Sequence, residues 1–196
     1  SEHKNHNKHN HHKHNSGKKK QQPMVGVSTP SGTRYWGIPY AEPPVGELRW
    51  KAPRQLDYVE GYQATSPGPS CPQGPSPFGV ASVSEDCLYL NVFQPKPKKG
   101  LLSQVKNPVM VWLHGGALTY GEGFTYDPQK LVEEGVVVVT INYRLGALGF
   151  MAHPALSAEN GGASGNYGLM DQQAALRWVQ KNIHRFGGDP KRVTIF

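Results

Sequence analysis

The chain has 196 residues, a formal net charge of +7 and a hydrophobic fraction of 37%. That length allows one domain of ordinary size with a sizeable core. No apolar stretch approaches the length of a membrane-spanning helix, so no membrane span is expected.

Charge and low hydrophobicity are both concentrated at the start of the chain. Residues 1–22 hold six of the nine histidines (His3, His6, His9, His11, His12 and His14), six lysines, four asparagines and one acid, Glu2, a charge of +5. They contain no aliphatic or aromatic side chain, and such a composition predicts a disordered leader or tag. A histidine-rich tract can hold divalent metal through neutral imidazole, but the plainer reading is a purification tag or a solubilising tail, with any metal binding non-physiological. The remaining residues carry only about +2, so the basic isoelectric point, about 9.4, does not argue for nucleic-acid binding by the body of the chain. The leader lacks the apolar core of a signal peptide. The first residue is Ser rather than Met, which suggests that an earlier piece was removed.

Residues 23–196 read as a single folded portion. Short strands are expected at Val25–Val27 and Tyr35–Ile38, with Gly and Pro punctuation between them. Cys71 and Cys87 bracket a proline-rich surface loop, and spacing alone leaves two readings open: a disulfide, or two unrelated thiols in a reducing compartment. The alternation of Leu88, Leu90 and Val92 predicts a strand with one buried face. "PVMVWL" (Pro108–Leu113) and "VVVVTINY" (Val136–Tyr143) are apolar almost throughout, as strands covered on both faces are. Between them "DPQKLVEEG" predicts a short helix capped by Asp127, with Pro128 in its first turn and Gly135 as its stop. Leu169, Leu176, Val179, Ile183 and Phe186 share one face of a long amphipathic helix ended by Gly187. "VTIF" opens a further strand. This alternation predicts an α/β fold with a mainly parallel central sheet, the N-terminal part supplying antiparallel or irregular edge strands.

The informative stretch is "VMVWLHGGALTYGEG". A buried strand ends at Leu113 and opens into His114, Gly115, Gly116 and Ala117. Ligands bind at the carboxyl ends of strands in parallel α/β sheets. Glycines there let backbone N–H groups face a developing oxyanion before its charge appears. A plain turn after a strand is the alternative when the motif stands alone.

The motif stands among others. The chain resembles the type-B carboxylesterases through "GIPYAEPPVGELRW", "EDCLYLNVFQP", "VMVWLHGGAL", "NYRLGALGF", "GNYGLMDQQAALRWVQKNIHRFGGDP" and "VTIF", six blocks in the family's order from about Gly37 to Phe196. The resemblance implies the N-terminal part of an α/β-hydrolase fold and a parent protein that hydrolyses small carboxylic esters through a serine nucleophile and an acyl-enzyme. It implies no cofactor and no metal. It places the oxyanion hole at Gly115, Gly116 and Ala117, with Gly116 and Ala117 as donors and Gly115 shaping the turn. It makes Cys71–Cys87 a disulfide, hence a secreted or periplasmic setting. It pairs Glu85 with Arg144 as a structural ion pair, and Asp171 reads as a helix-dipole acid. His114 is expected to brace the glycine turn and His184 to sit at a helix end, and neither they nor His153 has family-like catalytic partners. Leu118 stands where the family usually has Phe. Tyr120, Glu122 and Phe124 are candidates to line the approach to the site. Phe78 alone offers an aromatic surface in the cysteine loop, which disfavours a choline site.

In the family the nucleophile elbow follows the "VTIF" block. The expectation is therefore that this chain is an N-terminal fragment carrying the oxyanion half only. The nucleophile would come after Phe196, and the chain would be inactive by itself. A catalytically silent relative used for binding or adhesion is the alternative.

Overall fold

The computed structural model describes residues 22–196. The leader expected at 1–22, with its metal-binding histidines, lies outside the described residues except for Gln22. Six strands form one sheet: β1 (Val27–Thr29), β2 (Gly32–Pro39), β3 (Tyr89–Pro95), β4 (Asn107–Trp112), β5 (Val137–Ile141) and β6 (Gly188–Ile195), in the order β1-β2-β3-β5-β4-β6. β5, β4 and β6 are parallel. β1, β2 and β3 join them as an antiparallel flank. The helices are α1 (Gln129–Glu133), α2 (Gly146–Phe150), α3 (Pro154–Glu159) and α4 (Tyr167–Asn182).

β5 is buried at every residue, as its run of β-branched side chains requires. β4 departs from the expected two-sided burial. Val109 and Val111 are closed off, while Met110 and Trp112 on the other face are half-open. The reason is unequal cover. α4 and the 3₁₀ turn after it lay Ala174, Ala175, Trp178, Val179, Ile183 and Phe186 on one face. On the other, α1 covers only the region of Phe93 and Val138 through Val132. Next to it, Trp112, Tyr126, Leu131, Val138 and Phe196 line an open groove of about 180 Å³.

The buried stripe of α4 also differs from the expected one. Leu169 is 46% exposed. The stripe runs instead through Tyr167, Asp171, Ala174, Ala175, Trp178, Val179 and Asn182. Two of these side chains are polar, which hides the stripe from a count of apolar residues. Gly187 stops the helical run as expected, with φ +76°. Asp127 serves α1 by accepting a hydrogen bond from Gln129 N–H at 3.1 Å. The short helices α2 and α3 have no counterpart in the sequence reading, being too brief for a helical period to register.

The expected Glu85–Arg144 pair is not formed. Arg144 binds Asp171 through Nε and Nη2 at 2.8 Å each, and its backbone N–H adds a third bond at 3.0 Å. Both residues are buried, at 3% and 0% side-chain exposure. Glu85 is instead held in a fork by Arg49 Nε and Nη2, at 2.6 Å each. Both Asp171 oxygens face the guanidinium, and Nη2, besides its bond to Asp171, also donates to Lys51 O at 2.8 Å, so Arg144 is held on the Asp171 side while Arg49 occupies both oxygens of Glu85. Asp171 is thus the partner of Arg144 rather than a dipole acid in the first turn. Burial pushes its carboxyl up, against the hydrogen bonds and charge of Arg144, which pull it down.

Cys71 and Cys87 form a disulfide. Closing a loop of this size restricts the unfolded chain by roughly 3 kcal/mol. A Cys71→Ser, Cys87→Ser double variant of the full-length protein is expected to lose about that much in urea denaturation. A loss under 1 kcal/mol would contradict it.

Candidate active site: a turn of aimed N–H groups

The turn after β4 is built so that its carbonyls are used and its N–H groups are left over. His114 O accepts from Tyr143 Oη–H at 2.6 Å. Gly115 O lies 2.8 Å from His114 Nδ1. Gly116 O accepts from the N–H groups of Thr119 and Tyr120, each at 3.0 Å. Ala117 O takes the Thr119 hydroxyl at 3.1 Å, and Leu118 O takes Gly146 N–H at 2.7 Å. The N–H groups of Gly115, Gly116 and Ala117 have no protein acceptor among the described residues. Gly115 and Ala117 are exposed and Gly116 is half-buried. A turn with its acceptors occupied and its donors open is suited to a negatively charged oxygen.

The backbone is bent hard to reach this state. Gly116 has φ +122°, and Ala117 and Leu118 have φ +54° and +60°. A residue with a Cβ in the left-handed region costs about 1–2 kcal/mol, and two in succession are held only because the surroundings over-determine them. His114 is one such constraint. Because a carbonyl can only accept, Nδ1 carries the proton. The ring stacks on Tyr143 with centroids 4.4 Å apart and planes 11° from parallel. It is buried, and its Nε2 has no partner among the described residues.

Burial lowers the His114 pKa below its ordinary 6.5, against smaller opposing pulls from Gly115 O and Glu122. A depressed histidine contributes stability that is present above the unfolded pKa and lost as pH falls through the folded one. Stability should therefore decline on acidification below about pH 6.5. His114→Gln should flatten that decline in urea midpoints measured from pH 7.5 to 5. Parallel losses in wild type and variant would refute the assignment.

The other candidates fall elsewhere. Glu122 does not line an approach: it is fully buried, with Oε2 accepting Val80 N–H at 2.8 Å. Tyr120 and Phe124 are half-buried near the turn, and Phe78 is 63% exposed. His153 caps α3, accepting Ala155 N–H at Nδ1. His184 is exposed in the 3₁₀ turn after α4. A separate cavity of about 470 Å³, lined by Ala52, Asn160, Ser164, Tyr167, Met170 and Gln173 among others, shares no residue with the turn. Among the described residues there is no metal-ligating group of three or more side chains, and no helix long and apolar enough to cross a membrane.

β6 and the turn meet. Leu113 N–H donates to Phe196 O at 3.0 Å, and Phe196 N–H donates to Val111 O at 3.1 Å. Phe196 therefore sits at the carboxyl end of the sheet, one residue from the start of the turn.

Comparison with known proteins decides the kinship. The family model for the carboxylesterase family matches residues 19–196. The chain belongs to the carboxylesterase family. It is 49% identical over 174 residues to a fumonisin B1 esterase of Sphingopyxis macrogoltabida, covering 83% of this chain and 31% of that protein. It is 48% identical over 187 residues to a para-nitrobenzyl esterase of Bacillus subtilis, covering 90% and 36%. Among solved structures, a thermophilic para-nitrobenzyl esterase superposes with a TM-score of 0.77 at 45% identity, over 88% of this chain and 36% of that one. This carboxylesterase chain thus has the N-terminal architecture of an α/β-hydrolase, and it spans about a third of the length of these relatives.

Arg49 as the partner of Glu85, Asp171 as the partner of Arg144, and Gln73, whose carboxamide grips Gly121 beside the turn, are pairings that sequence reasoning missed. Only the spacing Cys-Pro-Gln near a disulfide loop hints at Gln73, and it does not name the backbone group that Gln73 holds.

Proposed function

We propose that the protein carrying this chain is a serine-dependent carboxylic ester hydrolase, and that the chain supplies the oxyanion side of its site. The observation that carries the reading is the turn at Gly115–Ala117, with its carbonyls occupied and its N–H groups open. A serine Oγ adds to the ester carbonyl while a histidine takes its proton. The carbonyl oxygen becomes an oxyanion, held by the N–H groups of Gly116 and Ala117. The alkoxide leaves with the proton, and water repeats the sequence on the acyl-enzyme. The nucleophile would follow Phe196, which lies beside the turn. The names of the relatives, esterases of fumonisin B1 and of para-nitrobenzyl esters, support a small carboxylic ester as substrate. The disulfide favours a setting outside the cytosol.

The test is a fluorophosphonate probe together with p-nitrophenyl butyrate turnover by the full-length protein. Stoichiometric labelling and hydrolysis are expected. A folded full-length protein that does neither would overturn the reading in favour of a silent binding protein.

A further inference from the structure

The disulfide loop is tied to the far side of the oxyanion turn at two points, and the segment just before Cys71 at a third, all made by side chains. Gln73, two residues after Cys71, addresses both backbone groups of Gly121: its Oε1 accepts Gly121 N–H and its Nε2 donates to Gly121 O, each at 2.8 Å. Nε2 also reaches back to Cys71 O at 3.2 Å. Glu122 reaches the other way, its Oε2 taking Val80 N–H from the same loop at 2.8 Å. Asn142, just past β5, joins Pro69 O to Gly123 N–H at 3.0 and 2.8 Å. Residues 121–123 are thus fixed by the cysteine loop and the sheet together.

Gly121 matters because of what it touches. It has φ +113°, and a Cβ there would lie 2.3 Å from His114 Nδ1 and 2.7 Å from Gly115 O. The backbone gripped by Gln73 therefore presses on the ring that holds the Gly115 carbonyl, the peptide whose nitrogen belongs to Gly116. Gly116 is packed from the same segment, since a Cβ on it would lie 2.1 Å from Tyr120 O. A displacement of Gly121 towards the turn runs directly into the His114 ring and Gly115 O. Gln73 is polar, partly buried and placed 48 residues from its partner. A surface loop in need of a simple anchor would not require both backbone groups of one residue, in two successive peptides, to be satisfied.

We propose that Gln73 is a positioning residue for the oxyanion turn, and that through it the Cys71–Cys87 loop sets how well the Gly116 and Ala117 N–H groups are aimed. The proposal rests on the reading of the protein as an ester hydrolase. Removing the carboxamide while keeping the bulk loosens the aim without touching substrate, so it weakens binding of the tetrahedral oxyanion more than binding of the ester.

The experiment uses the full-length protein with Gln73→Met and Gln73→Glu, the latter keeping the acceptor for Gly121 N–H and losing the donor to Gly121 O. Active sites are titrated first, so that rates are per competent site. For p-nitrophenyl butyrate, Gln73→Met should lower kcat about 10- to 100-fold, in the range of an ångström-scale misplacement, with KM within about twofold. The inhibition constant of a trifluoromethyl ketone, whose adduct is an oxyanion, should rise by a similar factor, and Gln73→Glu should fall between. A merely structural role would reduce the number of competent sites and leave kcat per site and ketone affinity unchanged. That result in either variant that folds would overturn the proposal. Reduced activity in the wild type is a different outcome: a wild type that neither hydrolyses the ester nor binds the ketone would overturn the ester-hydrolase reading and this proposal with it.

Discussion

On the proposed ester-hydrolase reading, Gly116→Ala is expected to lower kcat of the full-length protein by about 10²–10³, the loss associated with one oxyanion donor. The new Cβ would lie 2.1 Å from Tyr120 O and 2.7 Å from its carbonyl carbon, both backbone atoms that cannot swing aside. The φ of +122° is open to glycine alone. The chain must therefore rotate at Gly116 or pull away from Tyr120. Either movement turns the Gly116 and Ala117 N–H groups and breaks the bonds from Thr119 and Tyr120 to Gly116 O. The neighbouring Gly115 has no atom within 4 Å of a built Cβ, so Gly115→Ala should unfold at nearly the wild-type temperature. Single-turnover acylation separates chemistry from binding: the acylation rate should fall in Gly116→Ala with little change in ester affinity. A Gly116→Ala enzyme acylated at the wild-type rate would remove Gly116 from the donors.

Asp171→Ala is expected to cost about 3–5 kcal/mol of stability, the penalty for leaving a buried charge without its partner. Arg144 would keep its guanidinium in the interior, with Nη2 still on Lys51 O but three bonds to Asp171 gone. Its Nη1 has no partner among the described residues even with Asp171 present. The cost should therefore depend on Arg144 being there. In a double-mutant cycle, Asp171→Leu with Arg144→Met should recover much of the loss, since a buried pair replaced by apolar groups of similar volume is often neutral. Urea denaturation of Asp171→Ala and of the four proteins of the cycle measures this. An Asp171→Ala loss below 1 kcal/mol, or a double variant weaker than both singles, would count against an isolated buried pair.

What the sequence made legible was whatever repeats locally. β4, β5 and the last strand announced themselves through runs of apolar residues, and α4 through its length and its glycine stop. The glycine turn at Gly115–Ala117 was readable because it directly follows a buried strand. What stayed hidden depended on distance. Arg49 meets Glu85 across 36 residues, Arg144 meets Asp171 across 27, and Gln73 meets Gly121 across 48. A carboxylate with several arginines in reach carries no local mark of which one it binds. Leu169 failed for another reason: Asp171 and Asn182 occupy interior positions of α4, so the buried stripe is not the most apolar one. The half-open face of β4 was illegible because two-sided apolarity records what a strand can bury, not how much of the cover is at hand.

The strand order has a consequence for synthesis. β4 lies between β5 and β6, both of which come later in the chain. When β4 leaves the ribosome neither neighbour exists, and β6 begins only at Gly188. The roughly 75 intervening residues take on the order of 4–15 s to make at 5–20 residues per second. One edge of β4 can be satisfied once β5 (Val137–Ile141) follows, about 25 residues on, but the β6 edge stays open for the whole interval, and the glycine turn cannot take its shape until Tyr143 and Gly146 have followed. The nascent chain therefore spends seconds with an open apolar strand edge, the condition that favours capture by a chaperone of hydrophobic segments, and the glycine turn is among the late features to set.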